Sequence, residues 1–148
     1  MLARIVAVSL VLGAHGIGPV RFGTPKPQAV AALSRILGQP TSRAVNPGCG
    51  ARYTEADWGD LEAEFRRGSF SGYRYLDRGQ LPTLATAKGI TIGSSLAELR
   101  AAYGRLGDGG TDRWRAPNGL VFYDDAMRDP IPPSSLIIEI KIGTCGDF

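Results

Sequence analysis

Nucleophilic catalysis in this chain would depend on one histidine and two cysteines. His15 is the single histidine of the 148 residues, so a Ser–His or Cys–His pair would have to use it. It lies between Ala14 and Gly16 with no acid nearby in the sequence, which is typical of a surface imidazole in a loop. Cys49 stands between two glycines in a segment that superficially resembles a nucleophile loop, but a disulfide or a structural thiol explains it better. A small hydrolase that uses His15 or Cys49 is therefore the alternative function.

Two groups of acidic residues could form a catalytic pair or a metal site. Glu62 and Glu64 could act as paired carboxylates, but they alternate with apolar residues, as on the solvated face of a strand. Five aspartates of the second half lack the spacing of an EF-hand calcium loop. These aspartates are Asp108, Asp112, Asp124, Asp125 and Asp129. We therefore predict no catalytic residue, no metal site and no cofactor.

The two cysteines bear on the compartment. The chain contains two cysteines, Cys49 and Cys145, and this even number fits a single disulfide in an exported protein. In the loop-entropy model, a bridge across so long an interval stabilises the fold by about 4 kcal/mol. The alternative is two separate thiols. We favour the bridge, and with it a secreted or cell-envelope protein.

The N-terminal segment fits two interpretations. Arg4 followed by the apolar run 5–14 has the charge and length of a weak signal peptide, although Leu12 breaks the small-x-small pattern before Ala14. The run is too short to span a bilayer, so no transmembrane segment is predicted. Alternatively, the run is the first β-strand. Residues 1–15 are thus either a signal peptide or a first strand.

Composition narrows the remaining classes of function. The chain has 17 basic and 14 acidic residues, and a net charge of +3 is too small to indicate nucleic-acid binding. Its 43% hydrophobic and 21% charged residues are ordinary for a soluble globular protein. A length of 148 residues suits one compact domain. The oligomeric state is not predicted.

A recognition surface is a better candidate for function than a catalytic site. One predicted strand carries Phe70, Tyr73, Arg74 and Tyr75, and Tyr and Arg are enriched at binding hot spots. Tyr73 and Tyr75 share a face of that strand, which lies either against a partner or against the core. The tryptophans Trp58 and Trp114 are expected in the core. We predict that Phe70, Tyr73, Arg74 and Tyr75 bind a partner.

A motif that occurs twice positions these candidates. Residues 16–25 and 89–95 each combine a short apolar strand, a glycine and a Ser/Thr helix cap, and each leads into an Ala-rich helix. Each helix is expected to end at the next glycine. In the second copy, Ser95 and Glu98 form a capping box, in which the Glu98 side chain reaches back to the main-chain N–H of the cap.

Antiparallel strands are predicted after each helix. The alternation of residue types indicates strands over 61–65 and 70–76 in the first half. In the second half it indicates strands over 113–115, 120–123 and 136–142. The last strand is expected to turn Leu136, Ile138, Ile140 and Ile142 to one face, with Glu139 and Lys141 on the other.

Together these elements predict an α+β fold. It consists of tandem duplicated helix-plus-antiparallel-meander units, with the helices packed on one face of an antiparallel sheet. The first repeat is expected over residues 16–76 and the second over 89–148, joined by a linker over 77–88, in one compact domain.

The repeated motif also carries a family likeness. The succession of strand, Gly-Thr/Ser, helix and Leu37-Gly38-Gln39-Pro40 resembles the repeat of the β-lactamase inhibitory proteins and the similar unit of small outer-membrane-assembly lipoproteins. The opening at residues 16–23 is similar to that of uncharacterised exported bacterial proteins. The likeness covers residues 16–40 and 89–104. It implies a non-enzymatic, exported protein-binding or envelope-associated module, whose partner is another protein in the envelope or outside the cell.

Overall fold

The computed structural model describes residues 10–41, 48, 52–108, 112–126 and 130–145. In chain order, its helices and strands are β1 (Val11–Gly13), β2 (Gly16–Ile17), β3 (Val20–Arg21), α1 (Lys26–Leu37), β4 (Tyr53–Asp57), β5 (Leu61–Arg66), β6 (Ser69–Tyr75), β7 (Ala85–Thr86), α2 (Leu96–Tyr103), β8 (Gly107–Asp108), β9 (Arg113–Arg115), β10 (Val121–Asp124) and β11 (Ile137–Ile142). The strands form a four-stranded sheet of order β3-β2-β1-β7 and a seven-stranded sheet of order β4-β5-β6-β11-β10-β9-β8.

The prediction of an α+β fold with helices on one face of a single sheet is wrong. The described chain is mostly β, in two sheets, and its two helices have only 12 and 8 residues. Residues 16–25, which were expected to supply one strand before α1, supply two, β2 and β3, because tight glycine turns fold the segment back on itself. At Gly16, where φ is +151°, a Cβ would lie 2.1 Å from the carbonyl oxygen of Val20, so only glycine fits.

Helix α1 starts and stops where the sequence indicates. Pro25 is its N-cap and Pro27 lies in the first turn, where a missing N–H costs nothing. The helix buries Ala29, Val30 and Leu33 at helical spacing. Gly38 ends it with a φ of +83°, a conformation that favours glycine.

Helix α2 has a side-chain cap, unlike α1. Ser95 Oγ accepts a hydrogen bond of 3.1 Å from the main-chain N–H of Glu98. The Glu98 carboxylate in turn accepts from the Ser95 hydroxyl at 3.2 Å, rather than from the main chain of the cap as the capping box predicts. Satisfying a main-chain donor in the first turn stabilises a helix by about 1 kcal/mol.

Both copies of the motif contact the seven-stranded sheet through the same pair of main-chain hydrogen bonds. Phe70 in β6 donates to Thr24 and accepts from Gly23, whereas Ile137 in β11 donates to Ser94 and accepts from Gly93. These four bonds measure 2.7–2.8 Å. The similarity of the two sequences thus extends to the strands that they contact.

Strand register shows which face of the seven-stranded sheet packs against the core. Tyr75 pairs with Leu61 on one side and Ile140 on the other, and all three side chains are buried. Arg74 is the next residue along and pairs with Glu62 and Lys141. Because successive side chains alternate between faces, charged residues occupy the opposite face, which we call the outer face.

A β-bulge overturns the predicted facing of β11. Tyr123 pairs with Glu139 but Asp124 pairs with Ile137, so Ile138 has no partner in β10. The extra residue shifts the alternation by one position, which turns Ile137 into the core and Ile138 outward. Leu136 and Ile138 are consequently 44% and 47% exposed, whereas Ile137 is fully buried.

Part of the ambiguous N-terminal segment is a strand in the folded protein. Leu10 and Leu12 are buried, and β1 pairs with β2 antiparallel and with β7 parallel. Strand β7 lies within the segment predicted as a linker, so that segment also belongs to the four-stranded sheet. Residues 1–9 lie outside the described residues.

Candidate binding surface

Arg74 is the centre of the outer face. Its Nε lies 2.7 Å from Glu139 Oε1, which makes a close ion pair across β6 and β11. Its Nη1 lies 3.7 Å from Glu62 Oε2, and Arg78 Nη1 lies 3.6 Å from Glu62 Oε1. The network joins three neighbouring strands and keeps a guanidinium side chain 38% exposed at its centre.

Glu62 lies in surroundings that disfavour the charged form of its carboxyl group. Burial raises the pKa of its carboxyl, and the nearby carboxylates of Asp57 and Glu55 act in the same direction. Arg74 and Arg78 act against the shift but do not cancel it. The environment of Glu62 therefore favours its protonated form more than water does.

The bulge places two apolar side chains beside the network. Leu136 and Ile138 both point away from the core, and Ile138 is adjacent to Glu139, the partner of Arg74. The main-chain N–H of Leu136 donates to the Asp125 carboxylate at 2.8 Å, which fixes the start of this segment. We call Arg74, Leu136, Ile138 and Glu139 the outer patch.

The rest of the outer face near the patch is ordered by its own contacts. Tyr123 is the cross-strand neighbour of Glu139, and Lys141 Nζ lies 4.9 Å from the centre of the Tyr123 ring. A cation this close to a ring face is attracted by the ring quadrupole. The outer patch is therefore presented by paired strands rather than by a loop.

Three of the four predicted binding residues lie in the core. Phe70, Tyr73 and Tyr75 have exposures of 1% or less, so they cannot contact a partner in this structure. The Tyr73 hydroxyl donates to the carbonyl of Gly13 at 2.9 Å, and burial raises the pKa of its phenol. Only Arg74 reaches the surface. Leu136 and Ile138 were not predicted to be surface residues, because regular alternation would place them on the same face as the buried Ile140. No residue type in β11 indicates the bulge.

The tryptophans are likewise held by internal contacts. Trp58 is buried and its Nε1 donates to the carbonyl of Gly38 at 2.7 Å. Trp114 is half-buried, and its Nε1 donates to Asp124 Oδ2 at 2.7 Å. The core prediction therefore describes Trp58 fully and Trp114 in part.

Of the two residues of the hydrolase alternative, the structure describes His15. His15 is exposed in the turn between β1 and β2, and no carboxylate of the described chain forms an ion pair with it. Cys145 is disulfide-bonded, and its main-chain N–H donates to Glu64 Oε2 at 2.9 Å. Cys49, the other cysteine of the sequence, lies outside the described residues.

Two of the aspartates that could have bound a metal, Asp124 and Asp125, accept hydrogen bonds within the protein. Asp124 accepts from Trp114 and from the N–H of Ala126, and within the described ranges no three His, Cys, Asp or Glu residues gather as metal ligands. Asp129 lies outside those ranges. Neither helix of the described chain is long and apolar enough to cross a membrane.

Comparison of the chain with protein-family models, curated proteins and solved structures found no match. A functional conclusion therefore depends on the chemistry of the surface itself. The strongest feature of that surface is the outer patch, because it combines exposed apolar side chains with an ordered ion pair.

Proposed function

We propose that this protein is a non-enzymatic binding module, exported from the cytoplasm, whose partner protein docks on the outer patch. The observation that carries the proposal is the bulge at Ile138. It exposes Leu136 and Ile138 directly beside the Arg74–Glu139 ion pair, where a regular strand would turn both side chains toward the core.

The composition of the patch suits a protein partner. Complete burial of a Leu or Ile side chain contributes about 1.5–3 kcal/mol, so two half-exposed side chains leave a substantial gain for association. Arg is enriched at hot spots, and a charged rim around an apolar centre is the usual anatomy of an interface. The expected partner presents apolar side chains to Leu136 and Ile138.

The state of Cys145 supports the exported location. Disulfides persist in oxidising compartments outside the cytoplasm, and Cys145 is disulfide-bonded. Together with the likeness of the repeated motif to envelope modules, this favours a partner in the cell envelope or outside the cell.

The test compares the protein with two matched surface variants. Envelope extract is passed over immobilised wild-type protein, over the Leu136→Asp, Ile138→Asp double variant, and over Ile36→Asp. Ile36 is a similarly exposed apolar residue on α1. We expect a partner that the wild type and Ile36→Asp retain and the double variant loses. With that partner purified, we expect the double variant to weaken binding at least about tenfold.

Equal recovery on all three columns would remove the outer patch as the docking surface. Loss on Ile36→Asp together with retention by the double variant would place the interface on α1 instead. Thermal melts of each variant show whether a loss of binding reflects unfolding.

A further inference from the structure

A cavity of about 600 Å³ runs along one flank of α1, on residues that the outer patch does not include. Small-molecule sites commonly have volumes of a few hundred to a thousand Å³. Six residues of its lining bear on the argument, namely Lys26, Val30, Ala31, Ser34, Arg35 and Gln39. They recur at helical spacing, so one side of α1 forms a continuous wall.

Both ends of this wall are fixed to the seven-stranded sheet. Lys26 Nζ donates to Thr54 Oγ1 in β4 at 2.6 Å and lies 5.1 Å from the centre of the Phe65 ring. At the other end, Trp58 Nε1 donates to the Gly38 carbonyl at 2.7 Å. The cavity is therefore preformed, and a ligand would not have to order the helix on binding.

The lining combines positive charge with an apolar surface. Lys26 and Arg35 are cationic, and the lining that the structure describes contains no acidic residue. Val30 and Ala31 supply apolar surface between them. Apolar surface between two cations suits a ligand that has both an anionic group and an apolar part.

We propose that this cavity binds a small carboxylate with an apolar chain. Arg35 would pair with the carboxylate, for which a guanidinium offers two parallel N–H donors. The chain would lie against Val30 and Ala31. The site is independent of the docking surface proposed above, because it lies on α1 and involves none of the residues of the outer patch.

Titration of the ¹⁵N-labelled protein with octanoate tests the proposal. We expect saturable shifts of the amide resonances of residues 26–39, with octanol and acetate each binding at least tenfold more weakly. Lengthening the chain to decanoate should tighten binding by up to about fourfold per methylene.

Matched variants separate the site from unspecific binding. Arg35→Gln is expected to weaken octanoate binding about tenfold or more, and Ala31→Leu to weaken it by occupying part of the cavity where the chain would lie. Arg105→Gln changes another exposed arginine, outside the cavity, and should bind as the wild type does.

Three results would overturn the proposal. The first is equal affinity for octanoate and octanol, because the carboxylate would then be irrelevant. The second is a set of shifts outside α1. The third is unchanged binding by both Arg35→Gln and Ala31→Leu, with melting temperatures that show both variants to be folded.

Discussion

Neighbouring side chains of β6 lie on opposite faces of the sheet, so that some face the core and others face the surface. Tyr73 and Tyr75 are buried, whereas Arg74 between them pairs with Glu62 and Glu139 on the outer face. The sequence indicates that the tyrosines share a face, but it does not indicate which face is covered. That depends on the segments that pack against the sheet, such as Gly13, which accepts from the Tyr73 hydroxyl.

Glu62 gives a pH-dependent prediction at this scale. Because burial raises the pKa of its carboxyl above the ordinary value of 4.5, the folded state holds this proton more tightly than the unfolded state does. The free energy of unfolding therefore falls as the pH rises from the unfolded pKa through the folded one. Glu62→Gln cannot ionise, so we expect it to gain stability relative to the wild type across that window.

Urea unfolding at several pH values, from below 4.5 to 7, measures this difference. Asp112→Asn is a suitable control, because Asp112 is exposed. A Glu62→Gln variant that lost stability relative to the wild type as the pH rose would show that the two arginines outweigh burial.

At the scale of elements, the sequence predicts most strands and both helices but not how they assemble. Alternating residues indicate β5 and β6, and Ser95 and Gly104 bracket α2. The prediction from sequence fails where tertiary contacts decide the length of a strand or the phase of its alternation. Strands of two residues, such as β2 and β7, are too short to carry a pattern, and the bulge at Ile138 is set by pairing with β10.

The segment after β6 is shaped by one carboxylate that sequence reasoning did not single out. Asp60 is buried and accepts hydrogen bonds from the main-chain N–H groups of Arg78, Gln80 and Leu81, at 2.7–3.0 Å for the shortest contact to each. We expect Asp60→Ala to lower the free energy of unfolding by about 3 kcal/mol, because it leaves several donors without their acceptor.

Denaturant titration of Asp60→Ala checks this value against Asp77→Ala. Asp77 lies in the same segment but is exposed, and it accepts from the Gly79 N–H at 3.0 Å. The control should change stability by less than about 1 kcal/mol. Similar losses in the two variants would mean that burial of the Asp60 carboxylate adds nothing.

At the scale of the whole molecule, two tyrosine hydroxyls of β6 help to link the two sheets. The bond from the Tyr73 hydroxyl to Gly13 joins β6 to the end of β1, and Tyr75 accepts from Leu84 just before β7. Each bond therefore connects the seven-stranded sheet to a different strand of the smaller one. The apolar residues of both sheets contribute to one core.

Tyr73→Phe removes the first of these links without opening a cavity. We expect the free energy of unfolding to fall by about 1 kcal/mol. Relative to the wild type, we also expect hydrogen exchange to accelerate more in β1 than in β5. Tyr53→Phe provides the control, because Tyr53 lies in the edge strand β4. Unchanged exchange in β1 would show that apolar packing alone holds the smaller sheet.

The parallel pairing of β1 with β7 also has a consequence during synthesis. Strand β1 leaves the ribosome early and can meet β2 at once, but its other neighbour follows only about seventy residues later. At about 5–20 residues per second, that neighbour emerges some 4–15 s afterwards. Until then, the edge of β1 that receives β7 lacks its native partner, and the nascent chain is open to chaperones or to a transport machinery.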